Sequence, residues 1–293
     1  MRNYRKKIQN ILLVLFLFFV ACFVAKDALA RNRAFVYDWY IKNFETTITV
    51  NKNSSLDIVE RITADCGDAI GKHGIFRVLP MEIKIKNGET IKTPIKLISI
   101  TNFSGKPYKY KTSYKNNVII WRIGNPKVEV HGVHNYLIHY QVGNVINFRN
   151  PSFDELYWNI LGTFWDLEID NFHARIIFPK EIKKENTRME YYTGYLGSKR
   201  KDLANYSWTA QNVLEFYSIH PLKKRQGITV SIIFPKGIFV PYHTSFWEKH
   251  KFEIFWGLAF LFPLIFIIIV LIAWWKYGRE PRIKKPIIPI YKI

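Results

Sequence analysis

The chain has 293 residues, 48% hydrophobic and 16% aromatic, and its 43 Lys+Arg against 23 Asp+Glu give a formal net charge of +20 at pH 7. Two cysteines, Cys22 and Cys66, exclude a disulfide-stapled scaffold and a four-cysteine zinc site, so stability must come from an ordinary packed core. The basic balance alone would suit nucleic acid, but both ends of the chain carry export or membrane signals, and nucleic acid is excluded for a domain held outside the cytoplasm.

At the N-terminus, Arg2, Arg5, Lys6 and Lys7 precede an apolar run from Ile11 to Ala25, and Ala28-Leu29-Ala30 comes after it. A basic stretch, a short apolar stretch and small residues are the order of a secretory signal, with cleavage expected after Ala30. About fifteen apolar residues are short for a spanning helix, which favours removal over retention as an anchor. In either case the basic end stays cytoplasmic and the middle of the chain lies outside. Phe19-Val20-Ala21-Cys22 loosely matches a lipoprotein acylation box, but Phe at its first position and the apolar Phe23-Val24-Ala25 make Cys22 a plain signal residue.

Residues 31–250 read as sheet. Phe44, Thr46, Ile48 and Val50 share one face of an alternating run, Asn51-Lys52-Asn53-Ser54-Ser55 is turn-forming, and Leu56, Ile58, Glu60 and Ile62 resume the period of two. Similar runs recur at Ile95–Ile100, Val118–Ile123, Tyr136–Val142, Phe172–Phe178, Val213–Tyr217 and Ile228–Phe234, with turns such as Ser104-Gly105-Lys106-Pro107 between them. Short strands without an amphipathic helix predict an all-β extracytoplasmic domain, an antiparallel, immunoglobulin-like β-sandwich. A subdomain boundary, if there is one, would fall near Lys180–Asn186. The net charge of this part is about +11. Its lysines are scattered rather than striped, which fits a solvated surface; anionic lipid head groups or an anionic envelope polymer are the partners such a surface would attract.

Residues 254–275 contain no charge and, at about 1.5 Å of rise each, reach about 33 Å, enough for a hydrocarbon core about 30 Å thick. A transmembrane helix is expected over residues 251–275. Lys276, Arg279, Arg282, Lys284 and Lys285 then make residues 276–293 a short basic tail that stays cytoplasmic. Trp256, Trp274 and Trp275 fall near the interfaces, and Pro263 is the kind of break lipid-embedded helices tolerate. The lipid bilayer is thus the first partner, and another membrane protein would be a further one.

Two segments concentrate reactive side chains. Between Gly71 and Arg77, a tight bend would bring Lys72, His73 and Arg77 together, where they could hold an anion; the structural alternative has Arg77 paired to a carboxylate such as Glu60 or Glu155. Asp154, Glu155 and Trp158 lie in an aromatic, acidic stretch that continues to Asp166, Glu168 and Asp170, three carboxylates that would share a face if on one strand. Carboxylates beside exposed aromatics suit sugar binding or cleavage, whereas core packing and ion pairing are the structural alternative. His131, His134 and His139 lack the helical HExxH spacing of a zinc site, and no G-x-S-x-G elbow is present. No catalytic residue, metal or cofactor is assigned.

The strings Lys72-His73-Gly74-Ile75-Phe76-Arg77, Asp154 through Gly162 with Trp165, and Tyr277-Gly278-Arg279-Glu280-Pro281 occur in an order that resembles the predicted membrane proteins of domain-of-unknown-function family 2207. The resemblance implies a signal sequence, an extracytoplasmic β-rich domain and membrane helices, with no established activity. It also implies a longer chain, so one ending at Ile293 is expected to be a shortened member. The function expected is that of a membrane-anchored cell-envelope protein at the cytoplasmic membrane, its β-sandwich a binding or scaffolding module. The alternative is an envelope glycan-acting hydrolase using carboxylates near Asp154 and Glu155.

Overall fold

The computed structural model describes residues 38–84, 89–244 and 246–278. The expected signal segment over residues 1–30 and the basic residues from Arg279 onward lie outside them. The chain is mostly β-strand, with one C-terminal apolar helix, and forms two units that divide between Tyr242 and His243.

The first hairpin forms where the alternation demands it. Strands β1 (Tyr40–Val50) and β2 (Leu56–Asp65) pair Phe44 with Ile62 and Ile48 with Ile58, so one face is continuously apolar. Between them the backbone amide of Asn51 donates to the Ser55 carbonyl at 2.8 Å, and Ser54 takes a left-handed φ of 61°. Around this hairpin lies a seven-stranded sheet of order β14-β15-β12-β1-β2-β9-β6, where β6 is Ile95–Thr101, β9 Val133–Val142, β12 Ile169–Ile177, β14 Ala204–Ala210 and β15 Val213–Ser218. Its buried side alternates strictly, as in β9, where Tyr136, Ile138, Tyr140 and Val142 point inward. Its other side is polar, with pairs such as His139–Asp57 at 2.9 Å and His173–Glu215 at 3.1 Å.

The expectation of a purely antiparallel sheet is corrected at its centre. β1 runs parallel to β12, from Ile41 opposite Ile169 to Thr49 opposite Ile177. A parallel neighbour needs a long crossover, and here everything from β2 to β11 intervenes. Periodicity marks a strand but not its partner.

Two smaller sheets cover the apolar face. One has the order β10-β11-β16-β13, comprising Ile146–Asn147, Phe153–Leu161, Gly227–Pro235 and Arg188–Gly194; the other is β3-β8-β7, comprising Ile75–Pro80, Val118–Ile123 and Tyr110–Lys115. A short ribbon joins β4 (Glu82–Lys84) to β5 (Thr90–Lys92). The layers meet through rings: Phe44 edge-on to Trp165 at 5.4 Å, Trp121 to Tyr140 at 5.4 Å, and Tyr191 to Phe216 at 5.7 Å. One apolar core runs between them. The eight strands expected from alternation are present; β3, β11, β13 and β14, where polar or aromatic residues interrupt the pattern, emerge only in the fold.

Helix α1 (Phe246–Tyr277) extends beyond the uncharged run at both ends and contains Pro263. Within its stretch from His250 to Tyr277, an 18-residue window has a mean hydropathy of 2.9 and is unburied by protein, and among the described residues this is the one helix long and apolar enough to cross a membrane. A helix apolar all round is stable only where lipid or protein covers it.

Candidate functional site

The Gly71–Arg77 segment is half turn and half strand. Gly71 turns the chain at φ +75°, and Gly74, at φ +140°, passes Gly124, at φ +130°, so closely that a Cβ on either would overlap a carbonyl flanking the other. This crossing starts β3 and sends Ile75, Arg77 and Leu79 inward. Arg77 is 3% exposed. Its Nε and Nη2 donate to the two oxygens of Glu60 at 2.8 and 2.5 Å, and Nη1 donates to the Val78 carbonyl at 3.1 Å. Tyr140 donates its hydroxyl to Glu60 at 2.7 Å, and the guanidinium lies 5.1 Å from the Trp165 ring. Burial works against the Arg77 charge, but attraction to Glu60 and the contacts with Tyr140 outweigh it and raise its pKa. Burial, reinforced by Glu60 and opposed by Arg77, pushes the Tyr140 phenol well above its ordinary value. The group ties β3 to β2 and β9 across the layers, which is the structural alternative with Glu60 as the carboxylate.

The other two cationic candidates diverge from Arg77. Lys72 donates to Asp38 at 2.5 Å, and that bond, partly offset by burial, holds the Asp38 carboxyl below its usual value. His73 Nδ1 lies 3.0 Å from the Val128 carbonyl, beside a hollow of about 310 Å³ that Lys106 and Tyr108 also line.

Strand β11 separates the acidic candidates by its period of two. Asp154, Leu156 and Trp158 face the core, while Glu155, Tyr157 and Asn159 face outward. Asp154 is 1% exposed and accepts from Lys236 Nζ at 3.0 Å; the same ammonium reaches the Phe148 carbonyl at 3.0 Å. Glu155 accepts from Ser231 Oγ at 2.5 Å and from Asn147 Nδ2 at 3.4 Å. Carboxylates on opposite faces of a strand cannot flank one glycosidic bond. Asp166 sits in a loop and accepts from Arg225 at 2.6 and 3.0 Å, off the strand that holds Asp170, so the expected row of three carboxylates does not form. His139 pairs with Asp57, and His134 Nε2 lies 3.1 Å from the His131 carbonyl. Among the described residues no three His, Cys, Asp or Glu side chains cluster as metal ligands would.

What the two segments share is a groove of about 830 Å³. Tyr157, Asn159, Tyr192 and Thr229, all on the outward side of the four-stranded sheet, form its floor, and Phe164, Tyr195 and Leu196 rise beside it. Arg77 and Trp158 reach its inner wall, so two of the six candidates meet there and Lys72, His73, Asp154 and Glu155 do not. Burial, with Tyr192 and Glu155 nearby, raises the Tyr157 phenol above its ordinary value. Tyr192 carried no sequence signal, because β13 reads as Arg-Met-Glu-Tyr-Tyr-Thr-Gly without clean alternation, and Thr229, though inside the expected strand Ile228–Phe234, had nothing local to mark its partners across the sheet.

Fold and groove define a β-rich unit followed by a membrane-competent helix, with a ligand-sized depression on the four-stranded sheet. The family model described as "Predicted membrane protein (DUF2207) N-terminal domain" matches residues 40–234, and the chain belongs to that family. It is 25% identical over 177 residues to the "Uncharacterized protein YciQ" of Escherichia coli (strain K12), an alignment covering 60% of this chain but only 28% of that relative. Among solved structures, it is similar to native leukotriene A4 hydrolase from Saccharomyces cerevisiae, with a TM-score of 0.40, 8% identity and coverage of 66% and 29% of the two chains. It is also similar to an M1 zinc metallopeptidase from Deinococcus radiodurans, with a TM-score of 0.36, 9% identity and coverage of 66% and 42%. Likenesses this loose carry no functional argument.

Proposed function

We propose that this membrane protein holds its β unit outside the cytoplasm, at the cytoplasmic membrane, as a binding or scaffolding module of the cell envelope. In this reading residues 1–30 are the export signal, 31–250 the exposed domain, 251–275 the membrane span and 276–293 a cytoplasmic tail. The layered packing of a large sheet against two smaller ones supports treating the domain as an enlarged sandwich of the immunoglobulin-like kind, a rigid platform for a surface site.

The observation that carries the binding role is the groove of about 830 Å³, within the range of about 300–1,000 Å³ typical of ligand sites. Arg77, the charged candidate that reaches it, already serves an internal pair with Glu60, and Asp154, away from it, is paired with Lys236. Nothing in the arrangement favours the hydrolase alternative, since Asp154 and Glu155 face apart.

Two measurements test this. A reporter that works only outside the cytoplasm, fused after Asn212, is expected to be active, and one that works only inside, fused after Gly278, likewise; the reversed pattern defeats the topology. The detergent-solubilised full chain is expected to sediment with purified cell-wall fragments, and its complete absence from the pellet defeats the binding role.

A further inference from the structure

We infer that the groove takes an uncharged sugar chain; this rests on the binding-module reading and names its ligand class. The floor and walls offer ring faces from Tyr157, Tyr192, Phe164 and Tyr195, the last two 39% and 54% exposed, against which the C–H faces of pyranose rings can pack. Between the rings stand short neutral hydrogen-bonding groups. Thr229 donates its hydroxyl to Asn159 Oδ1 at 2.6 Å, which fixes the amide so that its Nδ2 faces away as a donor. Asn117 adds a further neutral amide.

The charge balance selects against a polyanion. Arg77 is neutralised by Glu60 and Arg225 by Asp166, while Glu82 accepts from Asn117 Nδ2 at 3.1 Å. Of the charged side chains lining the groove, this leaves Glu82 and Lys199, one of each sign, to meet a ligand. A domain of net charge about +11 that keeps its ligand-sized groove nearly neutral is not built to hold phosphate groups there.

The backbone selects against a peptide added as a strand. Beside the groove the edge of β13 is taken at Thr193 by the chain itself, the Thr193 amide donating to the Arg200 carbonyl at 2.7 Å. On the opposite side β3 ends in Pro80, which has no N–H, and the carbonyl of Val78 already accepts from Arg77. Rings, neutral polar groups and occupied edges together fit a glycan.

The test uses the full chain in nanodiscs of uncharged lipid, titrated calorimetrically with three probes: a soluble N-acetylglucosamine tetramer, inorganic polyphosphate and an uncharged hexapeptide. The tetramer is expected to bind saturably, with less than a twofold change in Kd between 50 and 500 mM salt, and polyphosphate is expected not to displace it. Asn159→Ala, at an exposed position, should weaken binding at least fivefold and Tyr192→Ala at least tenfold, with unfolding temperature recorded for each so that lost affinity is separated from lost fold. Binding of only polyphosphate or only the hexapeptide overturns the assignment, as does tetramer affinity that survives Asn159→Ala and Tyr192→Ala in folded protein. Retention on cell-wall fragments without tetramer binding refutes the glycan and spares the module, whereas absence of both refutes the module itself.

Discussion

Replacing Arg77 by Met is the sharpest probe of how the layers hold together. The substitution keeps most of the aliphatic volume but strips Glu60, 2% exposed, of both guanidinium hydrogen bonds and leaves only the Tyr140 hydroxyl. Removing one partner of a buried pair costs about 3–5 kcal/mol, because the remaining charge has lost its solvent and its counter-ion alike. For a domain of this size each kcal/mol lowers the unfolding temperature by about 2–4 °C, so Arg77→Met should melt about 6–20 °C below the parent chain. The double variant Glu60→Leu/Arg77→Met removes both charges and should regain most of that loss, since well-packed apolar replacements of buried pairs are often neutral or stabilising. Near-ultraviolet circular dichroism reports on this directly, because Trp165 lies over the guanidinium and Trp121 meets Tyr140. Two results would refute the reasoning: a loss below about 1 kcal/mol for Arg77→Met, or a double variant as damaged as the two single changes added together.

Three further outcomes are expected from the same structure. Tyr136 and Tyr140 have phenols raised above the ordinary value of about 10 by burial first, so the stability they contribute is complete below about pH 10 and is lost as the unfolded chain ionises above it; an absorbance titration near 295 nm should show these two ionising only together with alkaline unfolding. Gly124→Ala would place a Cβ against the His73 carbonyl at φ +130° and should cost about 1–3 kcal/mol by chemical denaturation, whereas Gly105→Ala, at φ +82° in open space, should cost less. Ile267→Arg, at the middle of the uncharged run, adds about 2.5–3.5 kcal/mol to insertion, and the fraction of chain resisting carbonate extraction should fall.

The legible parts of this protein are those governed by neighbours along the chain. An uncharged run of about 22 residues is a helix in search of lipid wherever the rest of the chain goes. Alternation from Phe44 to Val50 and from Leu56 to Ile62 makes a hairpin through a turn of five residues, and no distant contact is needed to see it. The family strings were equally readable, because they are short and contiguous. β11 shows the limit: Asp154, Glu155, Tyr157 and Trp158 look like one reactive cluster when written in a row, yet a strand sends them to opposite faces.

The sequence by itself, then, determined the strands with clean period, the membrane-competent helix and a choice between two carboxylate partners for Arg77. Only the tertiary structure decided that Glu60 rather than Glu155 is that partner, that β1 lies parallel to β12, and that Tyr157, Tyr192 and Thr229 share a groove. The reason is physical. Burial and period act over a few residues and leave a local trace, whereas strand pairing and the satisfaction of a buried charge are settled between segments far apart in the chain, where many pairings suit the same pattern and packing selects one.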